Sequence, residues 1–193
     1  MALGRSQDAL PEIEKARILA PKSSPILADK GLILFLAGQK NQAIGLLKQI
    51  ETTEPAFLSP HVYLAEADLD AKDYKDYLSE SRKAALILQD QNRLEIVVAG
   101  EKGFAVSGAA GMLRAMLSTQ KELDANGRID AYDLALTYCL LGDKQHALDS
   151  LQTAVAKHEA RATAVRVEHN LQALHDDPTF RKLGAQVGLP PLE

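Results

Sequence analysis

The stretch YDLALTYCLLGDKQHALDSLQTAVAKH, residues 132–158, contains the pattern that decides the fold. Apolar and small residues recur at intervals of three and four on both sides of Gly142, and this spacing is typical of amphipathic α-helices. A glycine directly after such a helix favours the left-handed backbone that ends it, at little steric cost. The stretch therefore predicts two helices joined by a tight turn at Gly142.

The turn at Gly142 recurs along the chain with a period close to 34 residues. One residue marks the turn of each unit, and these are Gly4, Gly38, Lys72, Gly108 and Gly142, at successive intervals of 34, 34, 36 and 34 residues. Small residues precede three of the turns, at Gly31, Ala65 and Ala135, where they allow two helix axes to approach closely. Self-similarity at a fixed period of this length is the signature of a helical repeat array.

The repeated unit resembles the tetratricopeptide repeat, a helix–turn–helix unit, in residues 132–158 and in two further stretches. These are LADKGLILFLAGQKNQAIGLLKQIETTEP, residues 27–55, and SPHVYLAEADLDAKDYKDYLSESRKAALI, residues 59–87. The resemblance implies an all-α fold in which antiparallel helix hairpins stack into an α-α superhelix over residues 1–159. The tail VEHNLQALHDDPTFRKLGAQVGLP is similar to the closing segment of such arrays in bacterial winged-helix (CadC-like) transcriptional regulators and serine/threonine kinases, so residues 160–193 are predicted to cap the array.

The hydrophobic periodicity also predicts the bounds of the individual helices. We expect helices at 5–19, 24–37, 40–53, 57–71, 74–89, 93–107, 110–125, 128–141, 144–158, 167–174 and 178–187. The last of these has strong end signals, with Asp177 as N-cap before Pro178 and a stop at Gly188. No window alternates apolar and polar residues as a half-buried strand does, so the predicted class is all-α.

Composition excludes several classes of function. The net charge is −4 and only nine residues, five Tyr and four Phe, are aromatic, so direct contact with nucleic acid is not expected. The longest strongly apolar stretch is eight residues, from Gly31 to Gly38, whereas a membrane-spanning helix needs about 20. We therefore predict no membrane insertion and, with no secretion signal visible after Met1, a cytoplasmic location by default.

The chain shows no constellation that predicts catalysis, a metal site or a cofactor. No two histidines stand four residues apart, as a helical zinc motif requires, and the one cysteine, Cys139, is expected to be a buried thiol. The glycines at 100, 103, 108 and 111 do not match a phosphate-binding loop and predict close helix packing instead. We accordingly predict a protein that is not an enzyme.

The remaining candidate for function is the concave surface that the first helix of each hairpin lines in this family. Helical spacing places eight candidate binding residues there: Phe35, Val62, Glu66, Leu69, Asp70, Lys102, Tyr132 and Leu136. An apolar groove with a few acids suits a protein or peptide partner that presents an apolar or amphipathic segment. The alternative is that the chain's own C-terminal segment fills the groove.

These features together predict a non-catalytic protein–protein interaction module, as the C-terminal part of a larger bacterial regulatory or signalling protein. The alternative is an effector domain of a transcriptional regulator that senses a small molecule or a peptide. Leu10, Ile13 and Ile18 would be partly uncovered on the first helix, which favours a longer polypeptide or a homodimer through that helix. A parent of the single-pass membrane type would place this region outside the cytoplasm.

Overall fold

The computed structural model describes residues 5–189, and within that range all regular structure is helical, without a strand. This confirms the predicted all-α class. The expectations for Gly4 and for residues 190–193 lie outside the described residues. Helices follow one another in consecutive packed pairs.

The helices agree with the predicted bounds to within three residues at each end, with one exception. The helices predicted at 93–107 and 110–125 form a single element, α6. The helices are α1 Ser6–Leu19, α2 Ser24–Leu36, α3 Lys40–Thr53, α4 Leu58–Asp70, α5 Tyr74–Leu88, α6 Gln91–Asp124, α7 Ala131–Leu140, α8 Lys144–Ala156 and α9 Pro178–Gln186. Two 3₁₀ segments, Ala160–Ala164 and His169–Leu174, lie between α8 and α9. The first of these was not expected, and the second replaces part of the helix predicted at 167–174.

Three of the predicted turns share one pattern of backbone hydrogen bonds. Gly142 has a φ of +81°, and the N–H groups of Gly142 and Asp143 donate to carbonyls three and five residues earlier, at 3.0 and 2.9 Å. The same two bonds close α2 at Gly38 and α4 at Lys72, whose φ values are +81° and +61°. This is the Schellman closure, in which a left-handed residue satisfies the last carbonyls of a helix.

The residue after the turn starts the next helix at two of these positions. The carboxylates of Asp73 and Asp143 accept hydrogen bonds from the backbone N–H groups of Asp76 and His146, at 3.5 and 3.2 Å. An aspartate at this N-cap position satisfies one of the N–H groups that a helix leaves unpaired at its start. One helix thus ends and the next begins within three residues, which keeps the paired helices antiparallel and close.

The chain divides into two compact units, one through Leu94 and one from Glu95. In the first unit, α2 contacts α1, α3 and α4. A β-carbon built on Gly31 would lie 2.7 Å from Cδ2 of the fully buried Leu47, so α2 and α3 approach as closely as predicted because this position has no side chain. The helix pairs bury apolar side chains between them, and Leu64 on α4 belongs to the same core cluster as Leu47.

In the second unit, α6 is two helices joined by a sharp break. Ser107 and Gly108 have non-helical backbone, and Gly108 has φ +58° and ψ −148°, unlike the left-handed turns at Gly38 and Gly142. The break folds the chain back on itself, because a β-carbon on Gly103 would lie 2.3 Å from the carbonyl oxygen of Gly111. In a continuous helix these residues would be about 12 Å apart.

The C-terminal tail packs on the last hairpin, inside the second unit. Buried residues of α7 and α8 share one core with residues of the second 3₁₀ segment and α9, among them Tyr132, Leu151, Leu171, Leu174 and Phe180. The tail therefore covers the apolar side that α7 and α8 leave open, as a terminal segment of an array is expected to do.

One described helix, α6, is long and apolar enough by length and composition to cross a membrane. Its most apolar window has a mean hydropathy of 1.3 and is 28% buried. The break at Ser107 and Gly108 means that α6 does not run as one straight segment in this fold. Polar and charged residues interrupt the apolar residues of α6, so the length of uninterrupted apolar runs does not indicate this helix. The absence of membrane insertion stays a prediction.

Replacing Lys72 by glycine should stabilise the first unit by about 1 kcal/mol, because Lys72 holds a left-handed backbone that strains residues with a β-carbon. The matched control is Lys75→Gly, also at an exposed lysine but inside α5, which should destabilise by roughly 1 kcal/mol. Urea unfolding of both variants measures the difference. A destabilised Lys72→Gly would contradict a strained turn.

Gly103→Ala should destabilise the protein by about 1–3 kcal/mol, because the new methyl group would meet the Gly111 backbone, which cannot rotate away. Gly45→Ala is the control, since nothing lies within 4 Å of a β-carbon at that helical position. There the loss of glycine's backbone freedom should stabilise by about 0.5–1 kcal/mol. Equal changes in thermal unfolding for the two variants would argue against the close approach.

Candidate functional site

Four of the eight predicted binding residues lie together on α4. Val62, Glu66, Leu69 and Asp70 are spaced so that they share one side of the helix, and each side chain is partly exposed. We call this set the α4 face. Asp70 forms an ion pair with Lys40 at the start of α3, which fixes one end of the face.

The other predicted residues do not join this set. Phe35 is 1% exposed inside the core of the first unit, and Tyr132 is 0% exposed in the core of the second. Leu136 packs against the same core as Tyr132, whereas Lys102 is exposed on α6. A partner on the first unit would therefore touch the α4 face and would not reach the Phe35 side chain.

A second group, not singled out in the sequence, brings charged side chains together between α3, α4 and α5. Nδ1 of His61 lies 2.7 Å from Oε2 of Glu80 and 3.8 Å from Oε1 of Glu51. The His61 side chain is 1% exposed, that of Glu80 10% and that of Glu51 21%. One ligand atom from each of the three residues lies within 4.8 Å of the others. We call these three residues the three-helix cluster.

Lys83 on α5 brings a positive charge to this cluster. Its Nζ donates to Oε1 of Glu51 at 2.5 Å and to Oε1 of Glu80 at 2.8 Å. These hydrogen bonds, first that to Glu51, raise the pKa of Lys83. The two carboxylates thus converge on one cation, which is the end of a side chain that is itself 43% exposed.

The backbone around His61 determines which ring nitrogen carries a proton. Nε2 lies 2.9 Å from the carbonyl oxygen of Pro55, which can only accept, so Nε2 must donate. Nδ1 then points at the carboxylate of Glu80. A lone pair on Nδ1 would face the carboxylate oxygen unfavourably, so a proton or another cation has to lie between them.

The three-helix cluster has no motif spacing, so the pattern of paired histidines that marks a helical zinc site does not indicate it. Its members stand 10 and 19 residues apart in sequence, at positions 51, 61 and 80. The order of the helices is the signal that could have indicated them, because α4 packs against both α3 and α5. A buried histidine beside two glutamates appears only when the facing sides of α3, α4 and α5 are compared.

Asp68, on the same helix as His61, is a buried carboxyl group in an acidic setting. Burial is the main cause that raises its pKa to about 6, and the negative charges of Asp76, Asp73 and Glu80 act in the same direction. Lys48 lowers the pKa but does not offset the burial. The side chain is 7% exposed, so the charged form above this pH is poorly hydrated.

The charged groups of the second unit serve the structure of the tail. The carboxylate of Glu159 accepts hydrogen bonds from the backbone N–H groups of Ala131 and Tyr132, at 2.9 and 3.0 Å, and so caps α7. Arg161 pairs with Asp133 and lies 4.7 Å from the centre of the Tyr132 ring. These contacts tie the first 3₁₀ segment to the start of α7.

Cys139 is buried, as the sequence predicted. Burial raises the pKa of the Cys139 thiol, the opposite of what activates a cysteine nucleophile. Its place in the core of the second unit is that of a small apolar residue.

No protein-family model matches the chain, and comparison with curated proteins and with solved structures gives no match.

Asp68→Asn should change how stability depends on pH. Because the folded-state pKa of Asp68 is about 6 against 3.8 for the free side chain, folding favours the protonated form, and wild-type stability falls as pH rises from about 4 to about 6. The Asn variant should lack this loss and exceed the wild type by roughly 1–3 kcal/mol at pH 7. Urea unfolding at pH 4, 5, 6 and 7 measures the difference.

The companion variant is Lys48→Met, which removes a cation that lowers the pKa of Asp68 and should extend the loss of stability to higher pH than in the wild type. A constant stability difference between Asp68→Asn and wild type at all four pH values would contradict the assignment.

Proposed function

We propose that the protein is a non-catalytic helical-repeat interaction module of the tetratricopeptide type. The observation that carries the proposal is the recurrence of one structural unit, a helix pair closed by a left-handed residue at Gly38, Lys72 and Gly142. The first interval is 34 residues and the second is 70, about twice the first. Recurrent helix pairs of this kind build extended binding surfaces more often than reaction centres.

Side-by-side packing of the first helices supports the repeat arrangement within the first unit. α2 contacts α3, its partner in the hairpin, and also α4, the first helix of the next hairpin. Gly31 lies so close to Leu47 that a β-carbon would not fit, and the repeat pattern predicts a small residue at this position. The resemblance of residues 167–190 to closing segments of bacterial regulators supports a place in a larger regulatory protein.

The α4 face is the surface on which we propose that a partner binds. It alternates apolar and acidic side chains, with Val62 and Leu69 beside Glu66 and Asp70. Such a surface fits an amphipathic helix whose apolar side meets Val62 and Leu69 and whose flanks carry lysine or arginine. We propose no reaction at this surface. The role of its carboxylates would be to pair with the basic residues of the partner.

A displayed library of 12–20-residue peptides selected on the whole chain should enrich apolar sequences flanked by basic residues. The affinity of a selected peptide should fall at least about tenfold in Leu69→Glu, because the substitution places a charge in the apolar part of the contact. Fluorescence polarisation with the labelled peptide measures the dissociation constant for each variant.

The matched control is Leu86→Glu, the same substitution at an apolar residue that is 55% exposed on α5. It should leave the affinity unchanged. Equal losses in both variants, or a selected peptide that is insensitive to Leu69→Glu, would exclude the α4 face as the binding surface.

A further inference from the structure

We propose that Glu51, His61 and Glu80 bind a divalent transition-metal ion of the zinc type, in competition with the ammonium group of Lys83. The site lies inside the first unit and is separate from the α4 face. Each ligand comes from a different helix, so a bound ion would join α3, α4 and α5.

The spacing of the ligand atoms fits a single small ion. Ligand atoms around a tetrahedral zinc ion lie about 3.3 Å apart, since each is roughly 2.0–2.1 Å from the metal. The distances from Nδ1 of His61 to the carboxylate oxygens of Glu80 and Glu51 are 2.7 and 3.8 Å, on either side of that value. All three ligand atoms lie within 4.8 Å of one another, so changes of glutamate rotamer of about 1–1.5 Å would bring them around one ion.

His61 is oriented as metal-binding histidines are. Nε2 donates to the carbonyl oxygen of Pro55, which fixes the orientation of the ring and, in the neutral imidazole, places the lone pair on Nδ1. In the neutral form that lone pair faces two carboxylates, so either a proton or a metal ion has to lie between Nδ1 and the carboxylate oxygens. Imidazole nitrogen and carboxylate oxygen are both ligand types that zinc accepts.

The ammonium group of Lys83 occupies the place where the ion would bind, and its movement towards solvent would open a path to the site. Its Nζ contacts both carboxylates, yet its side chain is 43% exposed, so it can rotate towards solvent. Without a proton on Nδ1, the four side chains carry one net negative charge. With Lys83 in place, one of the two carboxylate charges is uncompensated. A divalent ion that displaces Lys83 would neutralise both carboxylates.

Removal of the competing ammonium should therefore strengthen binding. In Lys83→Met we expect the affinity for Zn²⁺ to rise at least about tenfold, because the ion no longer has to displace a paired cation. In Glu51→Gln we expect it to fall at least about tenfold through the loss of a charged ligand. Glu51 is the least buried ligand, so this variant is the one least prone to misfolding.

The experiment titrates the full chain with ZnCl₂ at pH 7.5 against a chromophoric chelator, after treatment with EDTA. The wild type should bind one Zn²⁺ per chain, and its thermal midpoint should rise on binding. Circular dichroism first verifies that each variant is folded. Substitution with Co²⁺ should give the visible absorption bands of a low-symmetry site with a nitrogen ligand.

The control for adventitious surface binding is His146→Ala, which removes an exposed histidine paired with Asp143. It should leave the affinity and the Co²⁺ spectrum unchanged. The proposal is overturned if Zn²⁺ binding is absent in the wild type, survives in His61→Gln, or is lost in His146→Ala. It is equally overturned if folded Lys83→Met binds no more tightly than wild type, and the cluster is then held together by a proton on His61 alone.

Discussion

The helix pairs joined at Gly38, Lys72 and Gly142 depend on how the first helix of each pair ends. The last carbonyl groups of a helix have no partner within it, and burying them unpaired would cost more than most side-chain contacts return. At Gly38, Lys72 and Gly142 a single left-handed residue turns the backbone so that two following N–H groups reach those carbonyls. The next helix starts within a few residues of the turn. The short connection holds the paired helices antiparallel, with their apolar sides facing each other.

The helices and their turns could be predicted from the sequence because their causes are local. Periodicity, the residue at the turn and the aspartate after it are all readable within a few positions, and even Lys72 follows from its place in the 34-residue register. The 3₁₀ segments could not be predicted, because their conformation depends on the packing of the tail against α7 and α8. The same holds for Phe35 and the three-helix cluster, whose burial and neighbours are set by contacts between helices that no local pattern records.

The first unit also holds charged groups in its interior. Asp68, Glu80 and His61 are all buried, although apolar residues of similar size would fill the same space without a desolvation cost. The hydrogen bonds of Lys83 and of the Pro55 carbonyl reduce that cost without removing it. These groups therefore leave the first unit less stable than an apolar packing of the same volume would.

The cap that Glu159 provides for α7 has a consequence for dynamics. Its carboxylate holds the N–H groups of Ala131 and Tyr132 from 28 and 27 positions further along the chain. The first turn of α7 is therefore only as persistent as the attachment of the tail, and the two should fray as one cooperative segment. Slow hydrogen exchange at those two amides would therefore report that the tail is packed against α7 and α8.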